Sequence, residues 1–190
     1  MEIIRMTTWI NAPLETCFKL ATNAEFHVVL AQGAKKSKSD VASVEGLIPG
    51  DRLIWPGRCA GLQLKYTARI DAIRPPCYFR EVRDGGYFEL FEHDHHFTYL
   101  NDGTRMRDEI RFVVPPGAHS LLMVPLVRRY IISQIAHRNQ LLKATAESEA
   151  WKKYLLPASG QLDNPVAGPH QSQAAKPSGI PAGQMATHRG

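Results

Sequence analysis

Residues 87–116 read YFELFEHDHHFTYLNDGTRMRDEIRFVVPP and predict a β-hairpin. Asn101-Asp102-Gly103 is a tight-turn signal between two runs in which the two strand faces alternate. We place Asp102 and Gly103 in a two-residue loop, which sets Asn101 opposite Thr104. Every other cross-strand pair then follows from this register.

The alternation gives the predicted hairpin two different faces. One face is polar and pairs opposite charges, as suits a surface in water. The other is apolar and aromatic except for His93, His95 and Asp108, and buried polar groups cost about 1–3 kcal/mol each unless they find partners. The register places His95 opposite Ile110 and Phe97 opposite Asp108. A slip of two residues would keep both faces and set His95 opposite Asp108, so the faces are better determined than the pairs.

The length of the chain is compatible with a single domain. It has 190 residues, enough for one real hydrophobic core. Residues 157–190 are rich in Pro, Gly, Ala, Gln and Ser and contain no aromatic residue. Such a composition buries too little apolar surface to become ordered. We therefore expect one domain over residues 1–156 and a disordered tail over residues 157–190.

Composition also limits the partners and the location. The apolar run over residues 121–127 is too short to span a bilayer, and the N-terminus lacks the features of a signal peptide. Three widely spaced cysteines suggest neither a disulfide framework nor a zinc site. The net charge of +5 is scattered apart from one basic cluster at residues 35–38. We expect a cytoplasmic protein with no integral membrane segment and no nucleic-acid partner.

The remaining patterns predict a sheet and a long C-terminal helix. Strands are predicted over residues 2–10, 38–45, 52–56, 62–73 and 78–83, and short helices over residues 14–21 and 24–30. With the hairpin, this makes about seven antiparallel strands. A long amphipathic helix is predicted from residue 118 to about residue 154, with Pro125 as a kink or as its true start.

Two local patterns in this order resemble a known family. Residues 9–18, WINAPLETCF, look like the strand-to-helix passage I-x-A-P-x-x-x-V-F, with Cys17 in place of the usual valine. That passage is common in the helix-grip fold of the START and plant-pollen-allergen-like superfamily, often called SRPBCC. Residues 93–115, with H-x-H-x-F and then G-T-R-M-x-D-x-I-x-F-x-x-P, are similar to the late hairpin of its polyketide cyclase/dehydrase and coenzyme Q-binding branch. The resemblance covers about residues 1–150.

This resemblance implies an α+β fold in which a curved antiparallel sheet wraps around the long helix. An apolar cavity would lie between them, with a few polar groups placed in its wall. The side chains expected to line the cavity are Trp55, Leu64, Tyr66, Phe91, His93, His95, Phe97, Tyr99, Met106, Asp108 and Ile110.

A metal site is one possible role of the histidines. His93 and His95 lie two apart on a strand and point the same way, as two ligands of one metal would, and Asp108 could be a third ligand. Cupins follow such a pair with a glutamate, whereas Tyr99 and Leu100 stand four and five residues beyond His95. We therefore assign no metal and no cofactor.

Three other roles of these polar side chains stay open. His95, Asp108 and His93 could form the acid–base group of an enzyme similar to a polyketide cyclase or dehydratase. They could instead satisfy one another as a structural cluster, or form the polar handle of a ligand site. We favour a non-catalytic protein that binds a hydrophobic small molecule or lipid. A protein-interaction module with a vestigial cavity is the remaining alternative.

Overall fold

The alternating segments form one antiparallel sheet and a small separate one. The computed structural model describes residues 1–31, 46–55, 57–59, 61–116 and 120–156. Its strands are β1 (Glu2–Ile10), β2 (Arg52–Trp55), β3 (Arg58–Cys59), β4 (Leu62–Gln63), β5 (Tyr66–Arg74), β6 (Tyr78–Gly86), β7 (Leu90–Leu100) and β8 (Gly103–Val113). Six of them make the main sheet in the order β1-β8-β7-β6-β5-β2, and β3 pairs with β4. The predicted strand over residues 38–45 and the predicted tail lie outside the described residues.

Four helices accompany these strands in the described part of the chain. They are α1 (Leu14–Ala21), α2 (Ala24–Ala31), α3 (Ser120–Ala146) and α4 (Lys152–Leu155), with a 3-10 turn over Glu149–Trp151. Pro125 lies inside α3, so it is not the start of that helix. The predicted end near residue 154 is wrong, because the chain leaves α3 at Ala146 and re-forms a short helical turn after Ser148. Across the residues described, no helix is long and apolar enough to cross a membrane.

The predicted strand over residues 62–73 is divided between two sheets. Its first two residues form β4, and β5 begins at Tyr66. Within β5 the register passes from Ile70 opposite Glu81 to Ala72 opposite Arg80, so the residue between them is an extra one. Such a bulge reverses the face of the residues that follow it. Ile73, not Ala72, therefore packs against the core.

The hairpin turns one residue earlier than the sequence predicted. Asn101 and Asp102 have φ angles of 49° and 64°, the left-handed pair that a two-residue hairpin loop requires. Leu100 then lies opposite Gly103, and every pair shifts by two residues from the predicted register. Gly103 is needed for a different reason, since a Cβ there would lie 2.6 Å from the carbonyl oxygen of Ile10 in β1.

This shift preserves the faces of the hairpin and changes the pairs. His95 lies opposite Asp108, so the predicted pairs His95–Ile110 and Phe97–Asp108 are wrong. The polar and apolar faces are as predicted for most of their length. In β8 the even-numbered residues from Thr104 to Phe112 are buried, whereas the odd-numbered residues other than Gly103 are not.

Two apolar clusters fill the space between the sheet and α3. The first contains Ile10, Phe18, Leu20, Phe26, Leu53, Ile70, Phe79, Phe97, Met106 and Leu142, and the second contains Ile4, Leu64, Phe88, Phe91, Ile110, Phe112, Val127, Ile131 and Ile135. β7, β8 and α3 each pass from one cluster to the other. In all three elements the residues at the crossing are polar and buried. The core is therefore crossed by a polar layer.

Candidate functional site

Six side chains form this polar layer, and each is at most 4% exposed. β6 contributes Glu81, β7 contributes His93 and His95, β8 contributes Asp108, and α3 contributes Arg138 and Asn139. Residues two apart on a strand share a face, and the strand register brings Glu81 opposite His93 and His95 opposite Asp108. The layer thus joins three neighbouring strands to the helix that covers them.

Asp108 is the centre of the histidine pair. Its Oδ1 lies 3.0 Å from His93 Nε2 and 2.8 Å from His95 Nδ1. Asn139 Nδ2 donates to Oδ2 over 2.7 Å. An ionised carboxylate accepts hydrogen bonds and donates none, so each of the two histidine nitrogens that face Asp108 carries a proton. In the neutral form of either ring, the other nitrogen is then an acceptor.

Glu81 and Arg138 surround the far side of the His95 ring. Arg138 Nη1 lies 3.3 Å from His95 Nε2, and Glu81 Oε1 lies 3.4 Å from the same nitrogen. Glu81 Oε1 is 4.0 Å from Arg138 Nη2, and Trp55 Nε1 donates to Glu81 Oε2 over 3.1 Å. The guanidinium carbon of Arg138 lies 5.6 Å from the centre of the Trp55 ring. Arg138 is therefore already held by an anion, an imidazole and an aromatic face.

The layer combines two ionised carboxylates with a neutral His93. Burial alone would raise the pKa of Glu81, but the hydrogen bond with His95 and the charge of Arg138 hold it below its usual range. The pKa of Asp108 is likewise well below its usual range, because the hydrogen bonds from His93 and His95 outweigh its burial. Burial and the neighbouring His95 lower the pKa of His93 to about 4. Near neutral pH, Glu81 and Asp108 are negative and His93 is uncharged.

A pocket of about 410 Å³ adjoins this layer, between the sheet and α3. It is lined by Leu30, Trp55, Gly57, Arg58, Leu64, Tyr66, Phe88, Phe91, His93, Tyr130, Ile131, Gln134, Ile135, His137 and Arg138. His93 and Arg138 are buried, whereas Arg58, Gln134 and His137 are exposed. The pocket therefore has an inner polar end at the layer, aromatic and aliphatic walls, and an outer end open to water.

The eleven residues predicted to line a cavity are divided among several places. Trp55, Leu64, Tyr66, Phe91 and His93 border the pocket. His95 and Asp108 lie in the polar layer, and Phe97, Met106 and Ile110 are buried in the two apolar clusters.

Tyr99 does not border this pocket, in contrast to the prediction. Its side chain is 57% exposed, and its hydroxyl donates to Asp102 Oδ1 over 2.9 Å. Tyr99 lies two residues before the turn, where the inner face of the hairpin extends beyond the core and is exposed to solvent.

Sequence reasoning missed two charged residues of the layer, although each left a signal. Glu81 stands two residues after the buried Phe79 and so shares its face of β6. Arg138 stands three residues after Ile135 and four before Leu142, on the apolar stripe of α3. A charged residue at a core position of either pattern predicts a buried partner of opposite charge.

A metal centre fits the layer less well than the ion-pair network. Glu81, His93 and His95 each offer one ligand atom, and these atoms lie within 4.8 Å of one another. However, His93 Nε2 is engaged by Asp108, and the guanidinium of Arg138 approaches His95 Nε2 on the side that faces Glu81. A fixed cation at this position repels a metal ion.

Comparisons with known proteins bear on the fold. No family model matches the sequence, and no curated protein matches it. Solved structures do match, including TTHA0849 from Thermus thermophilus, with 17% identity over 76% of this chain and 97% of that one and a TM-score of 0.62. The di-domain ARO/CYC BexL from the BE-7585A biosynthetic pathway matches with 16% identity over 78% of this chain and 50% of that one, at a TM-score of 0.60.

A third match carries the name of a superfamily. A START superfamily protein from Mycobacterium smegmatis matches with 15% identity over 76% of this chain and 97% of that one, at a TM-score of 0.58. Identities this low establish the fold alone. The helix-grip fold expected from the hairpin and the strand-to-helix passage is confirmed.

Proposed function

We propose that this protein binds a hydrophobic small molecule or lipid in the pocket between the sheet and α3. The observation that carries the proposal is the composition of the pocket, in which Tyr66, Phe88 and Phe91 form an aromatic wall and His93 and Arg138 stand at the buried end. Small-molecule sites are typically concave and apolar with a few placed polar groups, and their volumes run from about 300 to 1,000 Å³.

The polar handle of the proposed site is His93 together with Arg138. His93 donates through Nε2 to Asp108, so in its neutral ring Nδ1 is free to accept a hydrogen bond from a ligand. The guanidinium of Arg138 has five N–H groups, more than its contacts with His95 and Glu81 engage. A ligand group that both donates and accepts hydrogen bonds, such as a hydroxyl, suits this pair.

A pocket-filling substitution tests the proposal. Gln134 is an exposed residue of α3 that borders the pocket, and the adjacent Ser133 is exposed and does not border it. Gln134→Trp should weaken binding of the fluorescent probe N-phenyl-1-naphthylamine at least tenfold, while Ser133→Trp should leave binding within twofold. Equal affinities for the two variants would place the probe elsewhere and contradict the proposal.

The natural ligand can be sought directly. Native mass spectrometry of the protein purified from its own host, followed by organic extraction, should reveal a bound hydrophobic compound. Repeated recovery of an empty protein would instead favour the alternative of a protein-interaction module.

A second candidate function is that of an enzyme similar to a polyketide cyclase or dehydratase. It is favoured by the position of His93, which borders the pocket while Asp108 and His95 lie directly behind it. A carboxylate that orients a histidine suits it to move a proton on a bound substrate. On an identified ligand, Asp108→Asn and His95→Ala would then abolish turnover and preserve affinity. Unchanged turnover in both variants would exclude the acid–base role of this group, and absence of turnover in the unsubstituted protein would exclude the enzyme.

A further inference from the structure

Arg138 would by itself suggest that the pocket receives an anion. It is a buried guanidinium at the inner end of the pocket, and arginine pairs strongly with carboxylate, sulfonate and phosphate groups. Its surroundings reverse this expectation. Glu81 Oε1 lies 4.0 Å from Arg138 Nη2, and Asp108 is joined to the same network through His95.

We infer that Glu81 sets the charge selectivity of the pocket, so that its inner end accepts an uncharged hydrogen-bonding group and excludes anions. The inference rests on the proposed ligand-binding function and narrows it to a class of ligand. That class is an uncharged hydrophobic molecule, with a hydroxyl or N–H group directed at His93.

The balance of charges in the layer supports this selectivity. Glu81 and Asp108 contribute two negative charges and Arg138 contributes one positive charge. Arg138 lies beside Glu81, and both histidines face Asp108, so each of these groups already has a carboxylate neighbour. The layer therefore offers a ligand no cation that lacks a carboxylate partner. A ligand anion at this end would add a buried charge without a counter-ion, which is strongly unfavourable.

The unoccupied acceptor nitrogen of His93 also favours an uncharged ligand. His93 Nδ1 is an acceptor and pairs with a ligand hydroxyl or N–H, whereas a carboxylate oxygen would face it with a second lone pair. The exposed Arg58 and His137 stand at the outer end of the pocket and can pair with an anion there. Selectivity at the inner end must therefore be measured with the side chains of Arg58 and His137 both replaced.

Two probes that differ by one charged group can measure this selectivity. N-phenyl-1-naphthylamine and 8-anilinonaphthalene-1-sulfonate share their rings and their N–H group, and the second carries a sulfonate. In protein with Arg58→Gln and His137→Gln, we expect the uncharged probe to bind at least tenfold more tightly than the sulfonate probe. Adding Glu81→Gln should reduce this ratio at least fivefold by strengthening sulfonate binding, because it removes the charge that neutralises Arg138 and keeps an acceptor for Trp55 Nε1.

Glu92→Gln is the matched control. Glu92 lies on the outer face of β7, where it pairs with Arg80 over 2.7 Å and with Arg111 over 3.4 Å. Its substitution changes the net charge of the protein by the same amount and should leave the ratio unchanged.

Two results would overturn the inference. The first is tighter binding of the sulfonate probe than of the uncharged probe in protein that keeps Glu81, a comparison that does not depend on folding of the Glu81 variant. The second is an unchanged ratio of the two probe affinities in the folded Glu81→Gln protein. Failure of both probes to bind, or their indifference to Gln134→Trp, would instead refute the proposed ligand-binding function.

Discussion

His95 and Asp108 face each other across β7 and β8, with Nδ1 2.8 Å from Oδ1. This pairing depends on the turn at Asn101 and Asp102, because a turn one residue later would set Ile110 opposite His95. His93 reaches the same carboxylate oxygen from two residues away along β7. The local conformation of the hairpin loop thus determines which buried polar atoms meet.

Removing the charge of Asp108 should destabilise the fold. Asp108→Asn takes away the anion that accepts from His93, His95 and Asn139, and breaking a buried charge network costs about 3–5 kcal/mol. Urea unfolding monitored by circular dichroism measures the loss. Asp84→Asn is the control, since Asp84 pairs with the exposed Arg52 and such surface pairs contribute less than about 1 kcal/mol. Similar losses in the two variants would contradict the role given to Asp108.

Stability should fall as the pH is lowered from 7 to 5. Burial, and then the neighbouring His95, lowers the pKa of His93 to about 4, and burial, and then the charge of Arg138, lowers that of His27 to about 3. In the unfolded chain both titrate near pH 6.5, so the unfolded state binds more protons over this interval and is favoured as the pH falls. Each histidine should contribute a loss of about 2 kcal/mol between pH 7 and 5.

Urea unfolding at the two pH values tests this dependence. His93→Gln should remove about 2 kcal/mol of the loss, because the variant no longer takes up that proton on unfolding. His137→Gln is the control, since it removes an exposed histidine outside the polar layer. A pH dependence that is the same in the His93→Gln protein and in the unsubstituted one would show that His93 is not the titrating group.

The left-handed turn should tolerate glycine and reject a β-branched residue. Asn101 has a φ of 49°, a region in which other L-residues lose about 1–2 kcal/mol. Asn101→Val should therefore lower the free energy of unfolding by about that amount, whereas Asn101→Gly should change it by less than about 0.5 kcal/mol. Thermal unfolding of the two variants provides the comparison. A harmless valine would mean that the turn does not have this conformation in solution.

Glu81 and Arg138 should be coupled in stability. Arg138→Gln leaves Glu81 without its nearest cation, and Glu81→Gln leaves Arg138 without its nearest anion, so each single change should cost about 3 kcal/mol. The double variant leaves neither charge unpaired and should cost at least about 1 kcal/mol less than the sum of the two single changes, by the reasoning of a double-mutant cycle. Additive losses in urea unfolding would show that the two side chains do not depend on each other.

Much of the fold could be predicted because its signals are local. Alternation in β1, β7 and β8 and helical spacing in α1 and α3 are each properties of a short stretch of sequence. The turn position was less predictable. A glycine at position 103 suggested a loop residue, but glycine is required there because a Cβ would lie too close to the carbonyl oxygen of Ile10 in β1. Such a contact joins residues far apart in sequence and cannot be seen in the local pattern.

Only the part of the candidate site that lies on the hairpin could be predicted from the sequence. His93, His95 and Asp108 could be identified because they interrupt an apolar face of one hairpin. The charges that complete their network come from β6 and α3, and their meeting depends on the inter-strand register and on the rotation of the helix. Neither quantity follows from periodicity, which gives a face and not a contact.

The polar layer also acts on structures that the chain does not adopt. The apolar clusters by themselves discriminate weakly between registers that differ by two residues, because such a slip keeps every side chain on its own face. In the slipped hairpin, Asp108 would lie opposite Phe97, and a buried charge deprived of its partner costs about 3–5 kcal/mol. We therefore expect the layer to select the correct register during folding, because it strongly destabilises the nearest competing register. The hydrophobic contacts favour a compact chain in either register.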